Sequence, residues 1–353
     1  MSIARKSLRM LHHLRLLASA VLLATGLAAP AHAEDVTLKF EHFMPAVSIE
    51  HRTWLAPWAE RVTKASGGHL KVEVYPSMQL GGKAPQLFDQ TKDGVIDIAW
   101  VVAGYTPGRF PRLEVFELPW IAHAEAARTS KAAWDFFSAY GQEETKDVKV
   151  LAVFAHGKGT LFTKDKPVKL PADLAGLKIR VPTRTINATL TLLGASPQGI
   201  PAPQVPEALS KGVVDGVMFP YEVVPAFKVD ELTNQVTEFM GDRALYTAVF
   251  MLVMNKARYE ALPADLKAVI DANSGAALSA EIGAQFDAWD IPGREAVAKH
   301  GATVTKVDGA DLAAWKTATA PVTKDWIAAR DKAGDKGEEL VKAASDLIAK
   351  YAQ

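Results

Sequence analysis

The sequence predicts an α/β protein of two lobes between which the chain passes more than once. Three observations carry that expectation. Apolar stretches of strand length alternate with stretches that have helical spacing, the signal of βαβ units. About 320 residues follow an N-terminal leader, enough for two packed lobes, and with no cysteine in the chain they must be held by core packing. Neither an internal repeat nor a low-complexity linker divides the chain, so the lobes are not two beads on a string.

Residues 1–33 read as an export signal. Arg5, Lys6, Arg9 and Arg15 form a positive start, an apolar stretch runs from Leu16 to Ala29, and the small residues Ala31 and Ala33 are spaced for cleavage after Ala33. The apolar stretch is shorter than the ~20 residues of a membrane span and contains Ser19, Thr25 and Gly26. Removing the four basic residues of this leader leaves 36 Lys and Arg against 40 Asp and Glu. That mildly acidic balance argues against nucleic-acid partners.

In the remainder, "VTLKFEHF" places Val36, Leu38 and Phe40 on one face of a strand. Trp54, Trp58 and Val62 have helical spacing, and Gly67-Gly68 ends that helix. "HLKVEVYP" alternates as a strand, "APQLFDQTKDG" is a second helix, and "VIDIAWVV" is continuously apolar, as a strand buried on both faces should be. A helix from Ala124 to Tyr140 and the strand "VKVLAVFAH" follow. "LKIRV" is a strand leading to a helix from about Thr185 to Leu193. "VPEALSKG" is a short helix, and "VVDGVMF" and "LYTAVFMLVMN" are strands. Pro263 to Trp289 reads as one long helix broken near Pro292, then comes the strand "GATVTKV", and the chain is mostly helical from Asp311.

Local signatures of catalysis are missing. His42, His51, His69, His123, His156 and His300 form no H-E-x-x-H or other short-range metal pair. "GASPQG" has Gln198 where a nucleophile elbow needs glycine, and "HGKGT" has Gly159 where a phosphate-binding loop needs Ser or Thr. The absence of cysteine removes thiol chemistry, Cys-ligated zinc and iron–sulfur clusters. The expectation is a binding protein without cofactor or metal, not an enzyme.

Arg180 is the best lead to a ligand. It lies near the C-terminal end of a predicted strand, where ligands sit in open α/β sheets. Pro182 stiffens the chain just beyond it, and the next helix begins close by with free N–H groups. A guanidinium there has the fork geometry to grip a carboxylate, although an ion pair with a core acid would use the same residue.

Several segments together carry a family resemblance: "LPADLAGLKIRVP" (Leu170 to Pro182), "GASPQGIPAPQVPEALSKGVVDGVMFP" (Gly194 to Pro220), "YPSMQLGG" (Tyr75 to Gly82), "TKDGVIDIAW" (Thr91 to Trp100) and "FELPWI" (Phe116 to Ile121). In this order, and over essentially the whole chain after the leader, they resemble solute-binding proteins of tripartite ATP-independent periplasmic (TRAP) transporters, DctP type. The resemblance implies a two-lobed periplasmic binding protein of Venus-flytrap form, with mixed central sheets and a long helix spanning the lobes. Residues 34–155 with about 244–284 are the expected first lobe. Residues 156–243 with about 285–353 are the second lobe and the C-terminal helices. It further implies a monomer that closes on an organic carboxylate and passes it to a sodium-driven membrane permease, with Arg180 as the carboxylate clamp. Phe219 falls where sialic-acid-binding relatives have asparagine, and "HGKGT" lacks their second arginine, so sialate is not the expected ligand.

The remaining candidates for the pocket lie at predicted strand ends: Phe219 and Tyr221, which flank Pro220 so that one faces the cleft, together with Tyr105, His42 and His156. Core packing is the rival for the aromatic residues, and a structural role is the rival for the histidines. Arg184 and Arg109 read as surface or lobe-packing charges, with Glu222 a partner for one of them. One firm cation in an aromatic wall suits a monocarboxylate with an aromatic or apolar body, such as a 2-oxo or 2-hydroxy acid. A C4-dicarboxylate would want a second cation, for which Lys158 or a histidine is available. Other readings are a ligand-presenting subunit for a sensor kinase, the binding protein of an ATP-driven transporter and a periplasmic enzyme.

Overall fold

A computed structural model describes residues 35–352; the expected export signal and its cleavage point lie outside them. The described strands are β1 (Val36–Glu41), β2 (Leu70–Tyr75), β3 (Ile98–Val102), β4 (Val148–Ala155), β5 (Thr160–Thr163), β6 (Lys178–Val181), β7 (Ser196–Gly199), β8 (Gly216–Phe219), β9 (Gln235–Phe239), β10 (Val249–Asn255) and β11 (Thr303–Val307). They form two mixed sheets, ordered β2-β1-β3-β10-β4 and β11-β9-β5-β8-β6-β7. The protein is therefore α/β with two mixed central sheets, and its strands pass from one sheet to the other three times.

The apolar pattern explains the first sheet. Every residue of β3 and β10 is buried, so both strands are continuously apolar. β1 runs parallel to β2 and β3, while β10 lies antiparallel between β3 and β4. On the helix Ala56–Ala65, Trp58 and Val62 face the core. It stops where Gly67 and Gly68 take φ values of +66° and +95°, a region that costs other residues strain. The helices Ala126–Phe136 and Gly275–Lys299 pack on each other and on β4.

In the second sheet, β5 runs antiparallel to both β8 and β9, and β6 runs parallel to β7 and β8. A separate core cluster, including Val181, Leu190, Met218 and Trp315, packs here. β5, β7 and β9 are strands that the sequence pattern does not mark. β7 is "SPQG", a short edge strand whose proline suits only an edge.

One expected helix is divided differently. Pro263 to Trp289 forms two helices, Ala264–Ala272 and Gly275–Lys299. The break falls at Asn273 and Ser274, where Ser274 is extended and Gly275 has φ +80°. Pro292 does not end the second helix. Proline removes one helical hydrogen bond, but tertiary packing holds this segment. Gly293 lies so close to the chain at Tyr221 that an added Cβ would sit 2.0 Å from the Tyr221 carbonyl oxygen.

Candidate functional site

Between the strand ends of the two sheets lies a cavity. The first sheet supplies Trp100 from β3 and Phe250 from β10, with Phe43 after β1 and Tyr105 after β3. The second supplies Arg180 from β6 and Phe219 from β8. Trp100 packs against Phe43 and Phe250 with ring centroids 4.9 Å and 5.5 Å apart. Phe286, from the helix Gly275–Lys299, stacks on Phe250.

Arg180 is 1% exposed. Nε donates to the Ile200 carbonyl at 2.7 Å and Nη1 to the Met218 carbonyl at 2.9 Å, so the chain beyond β7 and the strand β8 fix the guanidinium. Its carbon lies 4.3 Å from the Phe219 ring centroid, a cation–π contact. Nη2 stands 3.5 Å from the Tyr105 hydroxyl. Burial pulls the Arg180 pKa down, opposed by Tyr105 and Tyr246, yet a guanidinium stays protonated in proteins. Among the described residues no carboxylate forms a salt bridge with it. Of its five N–H donors, one on each terminal nitrogen remains for a ligand.

Two phenols accompany it. The Tyr105 hydroxyl accepts from the Ala202 N–H at 2.8 Å, so its own proton remains to be donated. Tyr246 is buried, its hydroxyl has no hydrogen-bond partner among the described residues, and burial raises its pKa. Gly159 makes room for this ring: a Cβ there would lie 1.8 Å from Tyr246 Cε1. The "HGKGT" turn thus shapes the cavity without supplying a charge. Lys158 does not line the cavity, and among the described residues Arg180 is the only Arg or Lys that does.

The other expected residues divide. His156 lines the cavity, but its nitrogens serve its own chain. Nε2 accepts from the Ala248 N–H at 2.9 Å, so Nδ1 carries the proton and donates to the Gly157 carbonyl at 2.6 Å. Burial pushes its pKa down to about 3, leaving a neutral ring. His42 is not in the lining. Its Nδ1 accepts from the Met44 N–H and its Nε2 meets His51 Nδ1 at 3.0 Å; burial and then His51 push its pKa down to about 3. Tyr221 also lies outside the lining, because the chain turns at Pro220 and sends its hydroxyl to Glu238 at 2.8 Å and its ring to Arg294. Phe219 is the member of that pair facing the cavity.

Two further expectations are corrected. The helix Arg184–Leu192 does not bring its N-terminus into the lining; Thr183 packs instead against Gly104, where a Cβ would meet its Cγ2 at 2.3 Å. Glu222 pairs with neither arginine: Arg184 bonds Glu114 at 2.5 Å and Arg109 bonds Asp89 at 2.8 Å. Glu222 instead lines the cavity, as do Tyr246 and Trp100, which the sequence reading did not assign. A tyrosine heading an apolar run is the one signal that pointed to Tyr246.

Comparison with known proteins agrees with this geometry. The family model of bacterial extracellular solute-binding protein family 7, DctP, matches residues 40–329. The chain is 47% identical to a marine metagenome TRAP solute binding protein specific for aromatic acid ligands, solved with 3-hydroxybenzoate; the match covers 91% of this chain and all of that one, with a TM-score of 0.89. It is 46% identical to a TRAP solute binding protein from Rhodoferax ferrireducens solved with copurified benzoate, covering 90% of this chain and 98% of that one at a TM-score of 0.88. A Bordetella bronchiseptica protein with bound mandelate is 31% identical over 89% of this chain and 99% of that one, with a TM-score of 0.82. This chain belongs to family 7 of the bacterial extracellular solute-binding proteins, the DctP-type receptors of TRAP transporters.

Proposed function

We propose that the protein captures an aromatic monocarboxylate and delivers it to the membrane permease of a TRAP transporter. The observation that carries this reading is Arg180: a guanidinium buried to 1% exposure, with no carboxylate partner among the described residues, in a cavity walled by aromatic rings. A buried charge without a counter-ion is expensive, and a ligand carboxylate would remove that cost. The free N–H groups of Arg180 and the phenol protons of Tyr105 and Tyr246 would surround its two oxygens, while Trp100, Phe250 and Phe219 cover the ring. The related proteins solved with 3-hydroxybenzoate, benzoate and mandelate hold ligands of this class, which supports the assignment. A C4-dicarboxylate suits the cavity less well, since among the described residues Arg180 is the one cationic side chain in its lining and His156 is neutral.

In this reading residues 1–33 direct export and are removed, and the chain acts in the periplasm as a monomer. Residues 34–155 with about 244–284 form one lobe, and 156–243 with about 285–353 the other. The lobes rotate together on the ligand, water is excluded, and the Arg180 ion pair strengthens in the drier site. No bond is made or broken, so the acid is recovered unchanged.

Calorimetry on the mature protein tests the assignment. Benzoate should bind and raise the unfolding temperature by mass action, and succinate should do neither. Arg180→Ala should weaken benzoate binding about 100-fold or more, since it leaves a buried carboxylate without its partner. Arg180→Lys keeps a charge but not the fork and should fall between the two. Benzoate affinity unchanged in a folded Arg180→Ala variant would show that this residue is not the clamp.

A further inference from the structure

Glu222 is the polar group of the cavity that carboxylate capture leaves unused. It follows Phe219, Pro220 and Tyr221, and the turn that sends Tyr221 outward returns Glu222 to the cavity side. It is 3% exposed; its carboxyl lies within hydrogen-bonding reach of the Asp290 carboxyl, and among the described residues no N–H or hydroxyl of another residue donates to either Glu222 oxygen. Pro220, Val223 and Phe286 in the same lining offer it no donor or acceptor side chain.

One proton shared with Asp290 satisfies one Glu222 oxygen, and the other, left unpaired in a buried site, costs about 1–3 kcal/mol. A ligand with a bare ring would leave that cost in place. A ring hydroxyl can donate to that oxygen. The charge balance is consistent. Burial, and then the Asp290 and Glu50 carboxyls nearby, raise the Glu222 pKa well above the carboxylate range. A protonated Glu222 neither repels an anionic ligand nor competes with it for Arg180, and no Arg180–Glu222 salt bridge exists.

We infer that Glu222 reads a hydroxyl on the ligand's ring, so that the site prefers hydroxylated aromatic acids to unsubstituted ones. Sites built to hydrogen-bond a ligand hydroxyl discriminate against the analogue lacking it more strongly than apolar pockets discriminate by size. The inference rests on the reading of the cavity as an aromatic monocarboxylate site.

The test compares benzoate with 2-, 3- and 4-hydroxybenzoate by calorimetry on the full mature protein. At least one hydroxybenzoate should bind wild type about tenfold or more tightly than benzoate. Glu222→Leu should abolish that advantage while holding benzoate within a few-fold. Glu222→Gln keeps a donor and an acceptor and should retain most of the preference, which preserves the test if the leucine variant does not fold. If wild type binds benzoate and all three hydroxybenzoates alike, or if the preference survives in Glu222→Leu, the role given to Glu222 is wrong and the carboxylate site stands. If wild type binds none of the four acids, both readings fall together.

Discussion

Tyr105 and Arg180 meet across the cavity, one following a strand of the first sheet and the other within a strand of the second. The phenol oxygen stands 3.5 Å from Nη2 and accepts from the Ala202 N–H at 2.8 Å. Tyr105→Phe removes an acceptor from a partly buried N–H and a donor from the proposed ligand. An unpaired group of this kind costs about 1–3 kcal/mol, so benzoate affinity should fall roughly tenfold. Isothermal titration reads the change; an unaltered affinity would exclude the phenol from the site.

Gly159 and Tyr246 provide a second test. A Cβ at residue 159 would sit 1.8 Å from Cε1 of the ring, so Gly159→Ala must displace it. Overpacking of this kind costs about 1–3 kcal/mol of stability, and ligand affinity should fall with it. Tyr246→Phe leaves the ring in place and removes only the hydroxyl, so it should weaken binding and spare stability. Denaturant titration beside calorimetry separates the two effects; a Gly159→Ala protein indistinguishable from wild type in both would contradict the packing described.

The Arg184–Glu114 pair, at 2.5 Å, joins the helix that follows β6 of the second sheet to the segment Leu113–Glu117, which packs against β10 of the first, with Glu114 buried and the Arg184 side chain 41% exposed. Solvent screening at the arginine limits the pair to about 1 kcal/mol. Arg184→Ala should speed ligand release a few-fold and leave the association rate nearly unchanged, because contacts formed late in binding act on dissociation. Stopped-flow fluorescence, with tryptophan in the cavity wall as the reporter, measures both rates. A change confined to association would place the pair outside the closed state.

Glu50 links stability to pH. It is fully buried, both carboxyl oxygens lack a partner among the described residues, and burial pushes its pKa up to about 7 from 4.5. The folded state therefore holds this proton more tightly than the unfolded chain. The associated stabilisation is complete below the unfolded value and is lost as pH rises through about 7. Glu50→Gln cannot ionise and should gain roughly 2 kcal/mol on wild type between about pH 5 and pH 8. Denaturant titrations at those two pH values give the comparison, and a difference independent of pH would show that Glu50 does not carry the linkage.

Much of the fold was legible because burial imposes a period on the sequence. β1, β3, β4 and β10 carry it clearly, since their apolar residues face a core on one or both sides. β7 carries almost none: Ser196, Pro197, Gln198 and Gly199 become a strand only because β6 lies beside them. Gly275 and Pro292 show the same limit for helices, one interrupting a continuous pattern and the other failing to interrupt it.

At the site, Arg180 stood out as a charge inside an apolar strand. Its neighbours did not. Glu222 and Tyr221 are adjacent polar residues after one proline, and only the turn of the chain decides which faces inward. His42 and His156 both sit at strand ends, but each is saturated by backbone groups or a second histidine brought there by folding. Tyr246 needed a void at Gly159, a relationship between residues far apart in sequence.

The place of β10 between β3 and β4 bears on the order of assembly. β3 and β4 share no ladder; each hydrogen-bonds β10, which is made long after both. A chain emerging N-terminus first, from a ribosome or through a translocation channel, must keep this sheet split down its middle until Asn255 is free. The apolar edges of β3 and β4 stay open for that interval, which favours a carrier that shields them and keeps the polypeptide threadable until release.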